Sequence, residues 1–231
     1  MHIKKTQMPM SWPVPRKGKR KRFVAVPSHA FSKGISLLFL LRDVLKIVKT
    51  RKEARYMVLN GMVKVNSQTR KDENFPVQFF DTLSLDKAAE KSASSKLNYR
   101  LEIINKKFSL MEISAKDAET KIVKIKGKKI LGIKKIQMNL DDGQNFITKE
   151  KFSVGDSVVL NTKEGKIVKI LPLKKGSKVE IIAGKHAGEK GELVNFEELT
   201  RGRNYKIKLD SLKDAKNKSV SLPYKTILVI A

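Results

Sequence analysis

The chain has 231 residues, 40% of them hydrophobic, which is enough apolar material for buried cores and enough length for two or three small domains. Fifty Lys and Arg against 23 Asp and Glu leave a net charge of +27, and a polyanionic partner is the simplest relief of that self-repulsion. With no cysteine, disulfides, zinc ribbons and thiol chemistry are excluded.

RNA or DNA is the favoured polyanion, because cations that neutralise phosphates release condensed counterions. A membrane surface is the rival. The longest apolar run, Leu37-Leu38-Phe39-Leu40-Leu41, is far too short to span a bilayer and stops at Arg42-Asp43. The basic, proline-interrupted start has none of the apolar core of a signal peptide, so a cytoplasmic location is expected.

Residues 1–34 read as a basic arm. They carry nine Lys or Arg and no acid, with Pro9, Pro13, Pro15 and Pro27 around the cluster Arg16, Lys17, Gly18, Lys19, Arg20, Lys21 and Arg22. Such a block repels itself and is expected to stay unfolded until a polyanion arrives, though a solubilising or nuclear-import tail is the blander reading. Trp12 and Phe23 either stack on bases or anchor the arm to the protein.

Residues 35–90 predict two helices followed by strands. Ile35, Leu38, Leu41 and Leu45 recur at helical spacing, widened by Val44 and Val48. Thr50 followed by Glu53 is a capping box that opens a second helix, and Gly61 suits its left-handed end. Met62-Val63-Lys64-Val65-Asn66 alternates like a strand, and Phe75-Pro76-Val77 and Thr82-Leu83-Ser84-Leu85 supply two more. Arg51, Lys52 and Arg55 cluster at the second helix's start, where the dipole and open N–H groups also favour a phosphate. A solvated charged face on an ordinary helical hairpin is the alternative. The stretch from Leu41-Arg42-Asp43 through Thr50-Arg51-Lys52-Glu53-Ala54-Arg55 to Val63-Lys64-Val65-Asn66 resembles the S4-type RNA-binding fold. That resemblance implies RNA contact by these three residues and by Arg42, Lys64 and Arg70.

Residues 86–98 are small and polar, as in a linker. From there to 172 a β-rich, barrel-like central domain is expected. Tyr99–Ile103, Lys121–Gly127, Ile136–Leu140, Ser157–Leu160 and Lys166–Ile170 read as strands, and Ser114–Glu119 as a short helix. Asp141-Asp142-Gly143 is a hairpin turn.

In residues 173–231, Gly184, Gly188 and Gly191 lie between the apolar strands around Val179-Ile181 and Leu193-Val194, where they permit positive φ and close backbone approach. This segment resembles the KOW motif of SH3-like barrels, which implies RNA contact by Lys185, His186 and Lys190. A plain structural hairpin is the alternative.

The order of these parts (basic arm with Ser11-Trp12, S4-like fold over 35–90, central β domain over 91–172, KOW barrel over 173–231) resembles the archaeal and eukaryotic small-subunit ribosomal protein family S4e. Ile136–Asn145 and Phe152–Ser157 match as well, whereas Pro27-Ser28-His29-Ala30 stands where members usually carry Pro-Gly-Pro-His. The fold class expected is therefore α+β multidomain. The resemblance implies a monomeric structural constituent of the small subunit. Its partners would be small-subunit ribosomal RNA and neighbouring ribosomal proteins, with no membrane, small-molecule substrate, cofactor or metal. Catalysis is not expected. His2, His29 and His186 are far apart, no nucleophile elbow or phosphate-binding loop occurs, and Asp141-Asp142 is explained as a turn. A free-standing RNA chaperone or a KOW-type transcription or translation factor is the alternative.

Overall fold

The computed structural model describes residues 2–17, 23–86, 97–132, 135–199, 202–210 and 219–230. They form two compact units, Met1–Lys121 with Thr162–Glu164, and Ile122–Asn161 with Gly165–Ala231.

In the first unit β1 (His2–Lys4) pairs antiparallel with β2 (Phe23–Ala25), and β3 (Gly34–Ser36) leads into the helical turn α1 (Leu37–Phe39). The described part of the arm is packed, against expectation. Trp12 is 1% exposed, its ring edge-on to Phe31 at 5.8 Å and beside Phe39 at 6.2 Å, and Ser11 accepts a 2.7 Å hydrogen bond from the Phe108 N–H. Trp12 is thus an anchor: the apolar area it buries outweighs the repulsion of the nearby cations.

The first helix is shorter than its periodicity predicts. Ile35 sits in β3, paired with Val77, and after α1 the chain widens into one π-type turn over Leu40–Val44, with the Leu45 N–H reaching the Leu40 carbonyl at 2.9 Å. Leu37 through Leu41 are all buried. An element apolar on every side carries no helical stripe, so spacing alone could not place its ends.

The second helix, α2 (Arg51–Leu59), starts and stops as its residues dictate. The Glu53 N–H donates to Thr50 Oγ1 at 3.2 Å, while Glu53 Oε2 accepts from the N–H groups of Lys49 at 2.8 Å and Thr50 at 3.4 Å. At the other end Gly61 has φ +74°, and the N–H groups of Gly61 and Met62 return to the carbonyls of Val58 and Met57, a Schellman close.

Next come β4 (Val63–Val65), β5 (Gln68–Thr69), β6 (Pro76–Gln78), β7 (Thr82–Leu85), β8 (Leu97–Ile104) and β9 (Lys107–Glu112). β6 pairs with β3, and the others form one sheet ordered β5-β4-β7-β8-β9. The first unit therefore takes in β8 and β9 from beyond residue 90, because β7 pairs with β8 from Thr82–Arg100 to Leu85–Leu97. Alternation reveals a strand but not its partner. Most of the expected linker, residues 87–96, lies outside the described residues. A buried ion pair fastens this unit: Lys121 Nζ lies 2.7 Å from Asp81 Oδ1, which also accepts from Asn66 at 2.9 Å, and the Gln78 N–H donates to Oδ2.

The second unit contains two five-stranded sheets. β10 (Thr120–Gly132), β11 (Lys135–Leu140), β12 (Asn145–Thr148), β13 (Ser157–Asn161) and β14 (Lys166–Leu171) are ordered β12-β11-β10-β13-β14. β10 runs straight through Gly127 with a register shift after Ile125, and Asp141-Asp142-Gly143 closes the β11–β12 hairpin with Gly143 at φ +93°. In the first unit, just before β10, the short helix expected over Ser114–Glu119 is one 3₁₀ turn, Asp117–Glu119.

The other sheet has β15 (Lys178–Ile181), β16 (Lys190–Leu199), β17 (Gly202–Leu209), β18 (Ser219–Pro223) and β19 (Ile227–Val229), ordered β18-β17-β16-β15-β19. Val179, Ile181, Leu193, Ile207, Ile227 and Val229 form its core. Lys124 of β10 reaches the second sheet, its buried amine donating to the carbonyls of Tyr224 and of Ile227, the latter at 2.6 Å. Burial pushes this amine down to about 8, with Asp141 opposing. Among the described residues the chain is mostly β, and its α-helices, α1 and α2, lie in the first unit.

Candidate nucleic-acid interface

The first turn of α2 places cations where the helix itself disfavours them. Arg51, Lys52 and Arg55 are exposed near the positive end of the dipole, where Glu53 is the only acid. This arrangement weakens the helix by itself and strengthens it only when an anion docks. Their environments differ. The Arg51 guanidinium donates to Glu73 through both Nε, at 2.9 Å, and Nη2, and this carboxylate raises its pKa. It is therefore partly committed within the protein. Glu53 is held below the usual carboxylate range, first by the Lys49 N–H and then by the Thr50 hydroxyl.

Other cations of this unit are braced. Arg42 grips Asp43 Oδ2 through Nε at 3.0 Å and Nη2 at 2.6 Å. Lys64 lies 3.1 Å from Asp86, and Arg70 lies 4.5 Å over the Phe75 ring while donating to Gln68 Oε1 at 2.6 Å. Arg16 donates to the Met8 carbonyl and Lys17 is exposed. Lys19, Arg20, Lys21 and Arg22 lie outside the described residues.

In the second unit the loop between β15 and β16 carries Lys185 and His186, and Lys190 is the first residue of β16. Lys185 and Lys190 are exposed, and His186 Nδ1 lies 3.2 Å from both carboxylate oxygens of Glu189. The loop makes a tight turn: Gly184 and Gly188 have φ +102° and +87°, and the Gly188 N–H donates to the Ile181 carbonyl at 2.8 Å. Gly191 is obligatory for a different reason, since a Cβ there would lie 2.3 Å from the Lys208 carbonyl oxygen. The described contact residues thus lie in both units, Arg16, Lys17, Arg42, Lys64, Arg70 and the α2 cations in the first and Lys185, His186 and Lys190 in the second.

Sequence reasoning did not single out two exposed aromatic side chains that lie beside cations. Tyr56 is 64% exposed, one turn after Lys52, a spacing that does show in the sequence. Phe196 is exposed on β16, paired with Tyr205 of β17 and flanked by Lys175 and Arg203, each 5.6 Å from its ring centre. Only the strand register brings that cluster together.

Two family models match this chain. The model of Ribosomal family S4e matches residues 95–167, and that of the S4 domain matches residues 40–83, which contain α2 and its cations. The chain is 35% identical over 196 residues to small ribosomal subunit protein eS4 of Methanocella arvoryzae, covering 83% of this chain and 79% of that protein. It is 33% identical over 204 residues to the protein of the same name from Pyrobaculum aerophilum, covering 85% and 82%. The crystal structure of the 30S ribosomal protein S4e from Thermoplasma acidophilum aligns at TM-score 0.70 and 26% identity, covering 86% of this chain and 95% of that one. With cations set on an S4 domain and this likeness along most of its length, the chain belongs to ribosomal protein family S4e.

Proposed function

We propose that this chain is a structural, non-catalytic constituent of the small ribosomal subunit in the cytoplasm, where it binds small-subunit ribosomal RNA and supports subunit assembly and translation. The observation that carries this reading is the S4-domain match over the exposed Lys52 and Arg55 of α2, in a chain of net charge +27. Phosphate and 2′-hydroxyl contacts supply most of the affinity, and RNA shape supplies specificity, as is usual for duplex RNA.

The finer assignments rest on the same reasoning. Arg42, Arg51, Lys52, Arg55, Lys64 and Arg70 form one RNA contact set, the basic N-terminal segment a second, and Lys185, His186 and Lys190 a third. The last sheet is a KOW-type SH3-like barrel, supported by its glycine pattern, and the sheet before it a barrel-like central domain. The divisions at 34, 90 and 172 then mark sequence modules, not compact units. The chain acts as a single copy beside neighbouring ribosomal proteins.

Co-sedimentation tests the reading. The protein is expected to stay with small subunits through moderate salt, whereas release into the supernatant is the result for a free-standing RNA chaperone or transcription factor.

A further inference from the structure

A cavity of about 280 Å³ in the first unit is lined by Pro13, Val14, Pro15, Phe23, Val24 and Phe39, with Lys5, Arg42 and Asp43 as its polar members. Its two aromatic rings differ in kind. Phe39 is 4% exposed and belongs to the core, whereas Phe23 is 50% exposed, with the His2 ring edge-on at 4.8 Å. A ring left half in water beside an apolar slot forgoes burial that an incoming flat group would complete.

The polar members narrow the choice of occupant. Arg42 is held against Asp43 through two N–H groups, at 3.0 and 2.6 Å, and a guanidinium has five N–H donors in a planar fork. Immediately after Pro15 come the exposed Arg16 and Lys17, in a stretch, 1–34, with nine cations and no acid. An apolar side chain of a protein partner has no use for that charge. A nucleotide does: its base is flat and apolar on both faces, its edge takes hydrogen bonds, and its phosphates are anionic. Sequence-specific RNA recognition works largely on such splayed bases, stacked on aromatic or guanidinium planes.

We infer that this cavity accepts one unstacked nucleobase of bound RNA, seated against Phe23 and hydrogen-bonded at its edge by Arg42, with Lys5, Arg16 and Lys17 on the adjoining phosphates. The inference rests on the RNA-binding reading above and adds a base-accepting site to it.

The test titrates the full chain with a short single-stranded RNA carrying 2-aminopurine and with the same strand made abasic at that position. The base-bearing strand is expected to bind about tenfold more tightly, the usual worth of one stacked base. Phe23→Ala should abolish that difference while leaving the abasic strand's affinity unchanged. Val14→Trp, which fills the cavity, should do the same at an unchanged Tm. Should wild-type protein bind small-subunit RNA with full salt dependence yet treat the two strands alike, the cavity proposal alone fails. Absence of binding to small-subunit RNA overturns the broader reading with it. A photo-crosslinker at position 14 that labels protein and not RNA in assembled subunits also overturns the proposal.

Discussion

Charge at single residues is used in two ways in this chain, and substitutions should separate them. Lys52 and Arg55 project from α2, whereas Arg51 also holds Glu73, which is only 8% exposed. Replacing Lys52 and Arg55 together with Ala is expected to weaken binding to small-subunit RNA and flatten its salt dependence by about two counterions, with Tm unchanged. Arg51→Ala should lower Tm as well, since it strips a partner from a nearly buried carboxylate. Filter binding across a salt series, with parallel melts, checks both.

Lys124 shows the opposite use, a cation taken out of water. Burial lowers its pKa in the folded state to about 8, below the unfolded value, so between those two values the unfolded chain binds more protons. Stability therefore rises with pH through this window, as the folded amine sheds a charge that it was costly to bury. Denaturant melts of wild-type protein should gain up to about 3 kcal/mol from this group between roughly pH 8 and 10, and Lys124→Met should lack that gain.

At the scale of elements, short local signals set the boundaries. The Thr50–Glu53 box and the Gly61 close define α2 completely, and Thr50→Ala is expected to cost about 1 kcal/mol. Gly61→Ala forces a side chain to φ +74° and places a Cβ 3.3 Å from Thr69, which should cost about as much. Gly191→Ala should be far worse. Its Cβ would meet the Lys208 backbone carbonyl at 2.3 Å in the body of the β16–β17 pair, where only movement of both strands relieves the clash. Selective loss of hydrogen-exchange protection in β15–β19, with the first unit intact, is the expected signature.

Over the whole molecule the surplus of cations dominates. A net charge of +27 divided among several contact sets should make the affinity for small-subunit RNA fall about a thousandfold or more between roughly 50 and 200 mM salt, as for a ligand that displaces six or more counterions. A shallow slope in an equilibrium titration would mean that few of these cations meet phosphate.

Wherever cause lies within a few residues of effect, the sequence alone determined the outcome. Its charge called for a polyanion, the capping box and Gly61 placed α2, Asp141-Asp142-Gly143 closed a hairpin, and the order of motifs marked the family. Tertiary structure decided what depends on distant partners. It turned the supposed loose arm into a packed segment around Trp12, took Ile35 into a strand, joined β8 and β9 to the first sheet, and paired Arg51 with Glu73. The physical reason is that propensity and capping act over one helical turn. Burial and strand pairing instead join residues dozens of positions apart, and nothing in either partner's neighbourhood names the other.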